Sequence, residues 1–73
     1  IAASGRTTLV LGTKVVTTSA VGANSNIFLS VESLGTVTEP KSVAVTARTA
    51  GTSFTITSSD LTDTSVVSWM VLN

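Results

Sequence analysis

The sequence predicts an all-β fold, a small antiparallel β-sandwich or barrel of five or six short strands. Three observations support this prediction. First, 28 of the 73 residues are β-branched (14 Thr, 11 Val and 3 Ile), and such side chains suit a pleated surface better than a helix. Second, apolar residues alternate with polar ones in several short runs. Third, segments rich in Gly, Asn and Ser separate these runs, as in small all-β domains.

The first part of the chain is expected to combine a lead-in with two short strands. Residues 1–6 are small or polar and show no period, which predicts a flexible lead-in from a missing upstream region. A single β domain is expected over residues 7–73. Leu9 and Leu11 alternate around one residue and are expected to share a face. Gly12 then interrupts the pattern, which indicates a bulge or a break between two strands.

Four further strands follow, and no segment has a convincing helical pattern. The predicted strands are residues 27–33, 43–48, 53–57 and 66–72. The second and third of these are separated by a short connection that contains Ala50 and Gly51, which predicts a hairpin. Pro40 cannot donate to a strand ladder and is expected in the polar loop before the hairpin.

The last predicted strand, residues 66–72, is apolar on both faces. Val67, Trp69 and Val71 lie on one face. The opposite face carries three more apolar side chains, Val66, Met70 and Leu72. A strand of this kind is typically covered on both sides. We therefore expect one face to meet the core and the other to meet a neighbouring chain or sheet, with the choice of face left open.

Size and composition narrow the ways in which the domain can be stabilised and the partners it can bind. A chain of 7.4 kDa buries only about 60% of its surface, which gives marginal stability. The sequence has no Cys and no His, so disulfides and ordinary zinc sites are not expected and oligomerisation is favoured. Four basic residues balance four acidic ones, which indicates no nucleic-acid partner. No apolar run is long enough for membrane insertion, and no signal peptide is recognised.

No catalytic, cofactor-binding or metal site is expected. Without His or Cys the usual bases for a Ser or Thr nucleophile are missing, and neither Lys14 nor Lys41 has the spacing of a Ser–Lys pair. Asp60 and Asp63 are the strongest carboxylate pair, but 73 residues leave little room for a sugar cleft between them. Turn and loop solvation is the favoured interpretation of this pair.

Three segments resemble a known family. Residues 24–30, 43–59 and 63–72 are similar to a small β module at the C-terminal end of bacteriophage virion proteins such as tail fibres and tailspikes. The most specific part is residues 47–54 followed by Trp69. The resemblance carries no catalytic motif. The chain departs from the family pattern at its end: it ends in Val71, Leu72 and Asn73, whereas a Glu, and sometimes a Pro, is expected near the end.

The resemblance implies a homotrimer located on the virion, in the phage tail or on the capsid surface. The implied function is a non-catalytic trimerisation or capping module. The alternative is a tip domain for host attachment that binds a receptor or a surface polysaccharide, and a third possibility is a head decoration domain. The expected oligomer interface consists of Val66, Trp69, Met70 and Leu72. The expected ligand-facing loop positions are Asn24, Asn26, Asp60 and Asp63. A binding tip should expose Trp69 or cluster these loop residues, whereas a cap should bury all three aromatic residues.

Overall fold

The computed structural model describes residues 3–72 and confirms the predicted all-β fold. Within this range the chain forms six strands and no helix. The strands are β1 (Ala3–Thr8), β2 (Thr13–Thr17), β3 (Asn26–Ser33), β4 (Val43–Thr49), β5 (Ser53–Ser58) and β6 (Val66–Leu72). The last strand has the predicted bounds, and the strands predicted over residues 27–33, 43–48 and 53–57 agree with β3, β4 and β5 to within one residue.

The strands form two antiparallel sheets of three strands each. Sheet A has the order β1-β6-β3, and sheet B has the order β2-β5-β4. The predicted hairpin is confirmed, since β4 and β5 pair from Thr49 opposite Ser53. The other four connections pass from one sheet to the other. The chain therefore crosses repeatedly between the sheets and ties them together as a sandwich.

The core lies between the two sheets. Its fully buried side chains include Phe54 and Ile56 from β5 and Val67 and Val71 from β6, joined by Leu9 and Val21 from connecting segments. Trp69 lies on the same face of β6 and packs edge-to-face on Phe54, with 5.5 Å between ring centroids and 74° between the ring planes. This arrangement is a favourable one for aromatic pairs. The inward face of β6 is therefore the Val67, Trp69 and Val71 face.

The predicted flexible lead-in is wrong for residues 3–6, which form the first part of β1. These residues pair with β6, so that Gly5 stands opposite Trp69. A Cβ atom at Gly5 would lie 3.0 Å from the indole ring. Gly5 leaves space that the Trp69 side chain fills. Strand β1 is held by its backbone pairing with β6, although β1 carries no large apolar side chain. Residues 1, 2 and 73 lie outside the described residues, so the expectation for residues 1 and 2 stays a prediction.

The expectation that Leu9 and Leu11 share a face is also wrong. Leu9 is fully buried, whereas Leu11 is 72% exposed and has a positive φ of 51°. Strand β1 ends at Thr8, and the chain turns through residues 9–12 before β2 begins. Gly12 completes the turn with a φ of 77°. The break predicted at Gly12 is therefore confirmed, but the change of direction begins before it.

Candidate functional site

The outer face of sheet A is the most apolar exposed surface of a sheet in the described residues. Strand β6 contributes Val66, Met70 and Leu72 to it, all partly exposed. Phe28 on β3 stands directly opposite Met70 and is 51% exposed. These four residues are called the apolar face below. In an isolated domain their large hydrophobic side chains would remain in contact with water, which does not stabilise the fold.

A polar row crosses the same face beside the apolar residues. Ser68 lies at its centre, and its hydroxyl donates a hydrogen bond to the Oε1 atom of Glu32. Glu32 lies on β3 at a bulge, where the register shifts between Val31 and Ser33. Arg6 pairs with Ser68 from the other side, on β1. Both charged residues are exposed. The β3 residue opposite Ser68 is Ser30, so Glu32 lies further along β3 and its carboxylate reaches back to Ser68 on the central strand.

The outer face of sheet B has a different chemistry. Alternation opposite the buried Phe54 and Ile56 leaves mainly Thr, Ser and Ala on this surface, with Val15 as its exposed large apolar residue. Thr46 and Thr57 share a hydrogen bond of 2.7 Å there. This arrangement agrees with the usual preference of Thr for the outward positions of strands. The contrast identifies the outer face of sheet A as the stronger candidate for burial against another molecule.

The structure separates the four residues expected at the oligomer interface. Val66, Met70 and Leu72 lie on the outer face of sheet A, whereas Trp69 points into the core between the sheets. Sequence reasoning missed Phe28 as a member of this surface. The sequence did contain a signal for Phe28. Ile27, Leu29 and Val31 face inward on the same strand, and because side chains alternate along a strand, Phe28 faces outward.

The expected ligand-facing residues do not come together. Asn26 pairs with Leu72 at one end of sheet A, and Asn24 lies in the loop just before it. Asp60 and Asp63 precede Val66, at the other end of β6, about 20 Å away along the strand. Asp63 is fully buried and so does not face a ligand, contrary to the expectation for this residue.

Asp63 is instead the centre of a buried hydrogen-bond network. Its Oδ2 atom accepts from the Ser58 hydroxyl at 2.7 Å, and its Oδ1 atom accepts from the Ser65 backbone N–H at 2.8 Å and from the Ser65 hydroxyl. Burial of the carboxyl tends to raise the pKa of Asp63, but the hydrogen bonds from Ser58 and Ser65 outweigh it and lower the pKa. Both carboxylate oxygens are occupied, which makes Asp63 a structural residue.

Asp60 forms the outer part of the same loop. Its Oδ1 atom accepts hydrogen bonds from the Thr62 hydroxyl at 2.7 Å and the Thr62 backbone N–H at 2.8 Å. These bonds lower the pKa of Asp60. Lys41 Nζ lies 3.9 Å from Asp60 Oδ2 and 3.3 Å from Glu39 Oε1. This surface arrangement closes an Asx turn and neutralises part of its charge.

A cap is expected to bury all three aromatic residues, and the structure meets this expectation only in part. Phe54 is fully buried and Trp69 is partly buried against it, whereas Phe28 is exposed in the single chain. In residues 3–72, no group of three or more His, Cys, Asp or Glu side chains is placed to hold a metal ion. The same range has no helix of the length and hydropathy needed to cross a membrane.

The chain belongs to a known family. The family model described as "K1 capsule-specific polysaccharide lyase, C-terminal domain" matches residues 2–72. This match confirms the resemblance to a C-terminal module of phage virion proteins, since the family is a C-terminal domain of a tailspike-type lyase. Among curated proteins, none matches the chain.

Proposed function

We propose that this domain is a non-catalytic trimerisation and capping module at the C-terminal end of a virion-borne polysaccharide lyase. The observation that carries the proposal is the apolar face on the outside of sheet A. Exposing a large apolar side chain forgoes about 1.5–3 kcal/mol relative to full burial. Phe28 is 51% exposed and Met70 and Leu72 are less exposed, so covering each of them offers a fraction of that free energy, and a domain of this size needs such support.

Self-association explains why the face is apolar in a chain of only 73 residues. Three copies that turn this face toward a common axis would pool their apolar side chains into a second core. Association then stabilises the folded state by mass action, because only folded copies present the face. The threefold number comes from the phage appendage proteins that the family belongs to, whose fibres and spikes are usually trimers.

We expect Met70→Glu to dissociate the oligomer, because it places a carboxylate in the middle of the apolar face. The matched control is Thr17→Glu, which puts the same charge on the exposed outer face of sheet B. Sedimentation velocity should show monomers for Met70→Glu and unchanged assembly for Thr17→Glu. Equal sedimentation of the two variants in the assembled form would contradict the proposal that this face is the interface.

We also propose that the domain contributes no catalytic residue. Asp60→Asn keeps the Oδ1 acceptor for Thr62 and removes the accessible negative charge. We therefore expect the lyase activity of the full-length protein to change less than about twofold, whereas losing a catalytic acid or base costs about 10²–10⁴-fold. A loss in that range with assembly unchanged would contradict the non-catalytic assignment. Asp63 is a poor test of catalysis because its removal should damage the fold.

The alternative function, recognition of a host polysaccharide or receptor, has less support. The polar residues expected to form its site lie at two ends of sheet A, and Trp69 is packed on Phe54 rather than presented to solvent. Polysaccharide binding by this domain stays a prediction. The assembly role is the function that the arrangement of apolar and polar faces favours.

A further inference from the structure

We propose that one end of the sandwich docks on a lipid bilayer by placing three aliphatic side chains in its interfacial layer. These side chains are Val10, Leu11 and Leu61, called the apolar tip below. They are separate from the apolar face of sheet A, so the contact is independent of self-association. The contact is superficial, and the bilayer that it fits is one with a zwitterionic surface.

The apolar tip gathers most of the large hydrophobic side chains that the fold leaves exposed. Within residues 3–72 five such side chains are exposed, and three of them are Val10, Leu11 and Leu61, at 58%, 72% and 74%. The first two lie in the turn between β1 and β2, and Leu61 lies in the loop between β5 and β6. The two segments touch, because a Cβ atom added at Gly12 would lie 2.9 Å from Leu61 Cα. Ala3 lies at the opposite end of the sandwich.

Leu11 has a backbone conformation that leucine disfavours. Val10 and Thr13 exchange two backbone hydrogen bonds, of 3.0 and 3.1 Å, around Leu11 and Gly12, whose φ angles are 51° and 77°. Two-residue hairpin turns with left-handed backbone at both central positions strongly prefer Asn, Asp or Gly there. Neither backbone preference nor burial explains a leucine that is 72% exposed. A bulky residue held in this conformation indicates a function for its side chain.

Hydrogen bonds from buried groups hold the turn and the loop in place. Gly12 donates its N–H to the Asp63 carbonyl at 3.0 Å and accepts from the Ser58 N–H at 2.7 Å. Leu9 donates its N–H to the Ser65 carbonyl at 3.0 Å. The Asp63 carboxylate in turn accepts from both serine hydroxyls. The apolar tip is therefore preorganised, which lowers the cost of ordering it on binding.

The size of this end favours a bilayer over a second protein surface. The molecule spans 34 × 18 × 15 Å, and strands of up to eight residues, about 26 Å long, lie along the longest dimension. The end therefore has a cross-section of roughly 270 Å², compared with about 800 Å² per partner in a stable protein interface. Side chains as exposed as those of the apolar tip project from the surface. A bilayer interface accepts such projections to a depth of about 5–10 Å without a matching shape.

The charges beside the apolar tip favour a zwitterionic surface. Lys41 Nζ lies 3.3 Å from Glu39 Oε1 and 3.9 Å from Asp60 Oδ2. Lys14, on β2 just after the turn, supplies one further exposed positive charge. Two basic and two acidic residues leave no excess of positive charge to attract anionic lipids. Binding should therefore depend on the aliphatic side chains and little on salt.

Flotation of the 73-residue chain with phosphatidylcholine vesicles tests the proposal. The apolar tip has slightly less apolar bulk than one myristoyl chain, which binds at about 10⁴ M⁻¹, so half of the chain should bind at about 0.1–1 mM lipid. Leu11→Asn should weaken binding about tenfold. Its midpoint of urea unfolding should stay the same or rise, because Asn suits the turn. Added phosphatidylglycerol or salt should change binding less than about twofold.

The matched controls make one substitution at two equally exposed positions. Val10→Thr changes a residue of the apolar tip that is 58% exposed, and Val15→Thr changes one on sheet B that is 55% exposed. Binding should weaken about threefold for Val10→Thr and stay unchanged for Val15→Thr. No flotation at about 5 mM lipid, unchanged binding of Leu11→Asn, or equal losses for the two Val variants would overturn the proposal.

Two further outcomes would assign the result to another interaction. Binding that requires phosphatidylglycerol and disappears in salt would show electrostatic adsorption and overturn insertion of the apolar tip. Association between chains that Leu11→Asn abolishes, without binding to vesicles, would place a second copy at the tip and overturn the bilayer as its partner. Flotation that only the variants of the apolar tip weaken is the result that the structure predicts.

Discussion

Replacing Gly12 by alanine is expected to destabilise the domain by about 2–5 kcal/mol, which combines the cost of a left-handed backbone with that of overpacking. Gly12 has a φ of 77°, and a Cβ atom there would lie 2.4 Å from the Asp60 carbonyl oxygen. The residue cannot move aside easily. Its N–H donates to the Asp63 carbonyl at 3.0 Å, and its own carbonyl accepts from Ser58 N–H at 2.7 Å.

The matched control for Gly12→Ala is Gly51→Ala in the β4–β5 hairpin. Gly51 has a similar φ of 72°, but no atom lies within 4 Å of an added Cβ. Only the backbone cost of about 1–2 kcal/mol should remain. Urea unfolding followed by far-UV circular dichroism measures both variants. Equal losses of stability would show that the contact between Gly12 and the Asp60 loop is looser than the distances indicate.

Replacing Asp63 by alanine is expected to cost about 3–5 kcal/mol, since buried donors lose a charged acceptor. The two hydroxyls and the N–H that now reach its carboxylate come from Ser58 and Ser65. A domain of this length has a total stability of only about 4–11 kcal/mol, so the loss should lower the melting temperature by more than about 10 °C. Asp63→Asn keeps the shape and one acceptor oxygen and should lose clearly less.

The hydrogen-bond network of Asp63 should make the domain less stable as the pH falls. The folded-state pKa of Asp63 is lower than in the unfolded chain, because the hydrogen bonds from Ser58 and Ser65 favour the carboxylate more than burial opposes it. Its contribution to stability is therefore complete above the unfolded pKa of about 4 and is lost as the pH falls through the lower folded value. Asp60 shifts in the same direction.

Urea unfolding at several pH values between about 2 and 6 measures this contribution. The unmodified chain should lose stability on acidification, and Asp63→Asn should lose less over the same interval, because Asn cannot be protonated there. The remaining pH dependence of the variant then reports Asp60 and the other carboxyls. An identical pH dependence in both chains would contradict the role assigned to Asp63.

Strand β6 shows how far the sequence alone could lead. Its seven residues alternate without interruption and carry apolar side chains on both faces, so its bounds and its two-sided character could be predicted. The choice of the inward face could not, because Trp69 and Met70 are both large and apolar. That choice depends on Phe54 and Gly5, which lie far away in sequence and together accommodate the indole ring.

The errors have a common physical origin in packing between distant segments. The inward positions of β1 are Ala3, Gly5 and Thr7, and such small residues carry no strand signal because the bulk that fills this region comes from Trp69. Asp63 belongs to a polar loop by composition. It becomes buried because the turn at Gly12 folds over this loop, a contact between segments about 50 residues apart.

Assembly is the central claim, and sedimentation of the unmodified 73-residue chain tests it most directly. The mass of one chain is 7.4 kDa. The apolar face of Phe28, Val66, Met70 and Leu72 predicts a reversible oligomer, and the trimer predicts a species of three times that mass which gains population as the concentration rises through the micromolar range. The claim would be contradicted by a folded species that keeps the mass of a single chain at all concentrations up to about 100 μM, which corresponds to an association free energy weaker than about 5–6 kcal/mol for each chain added.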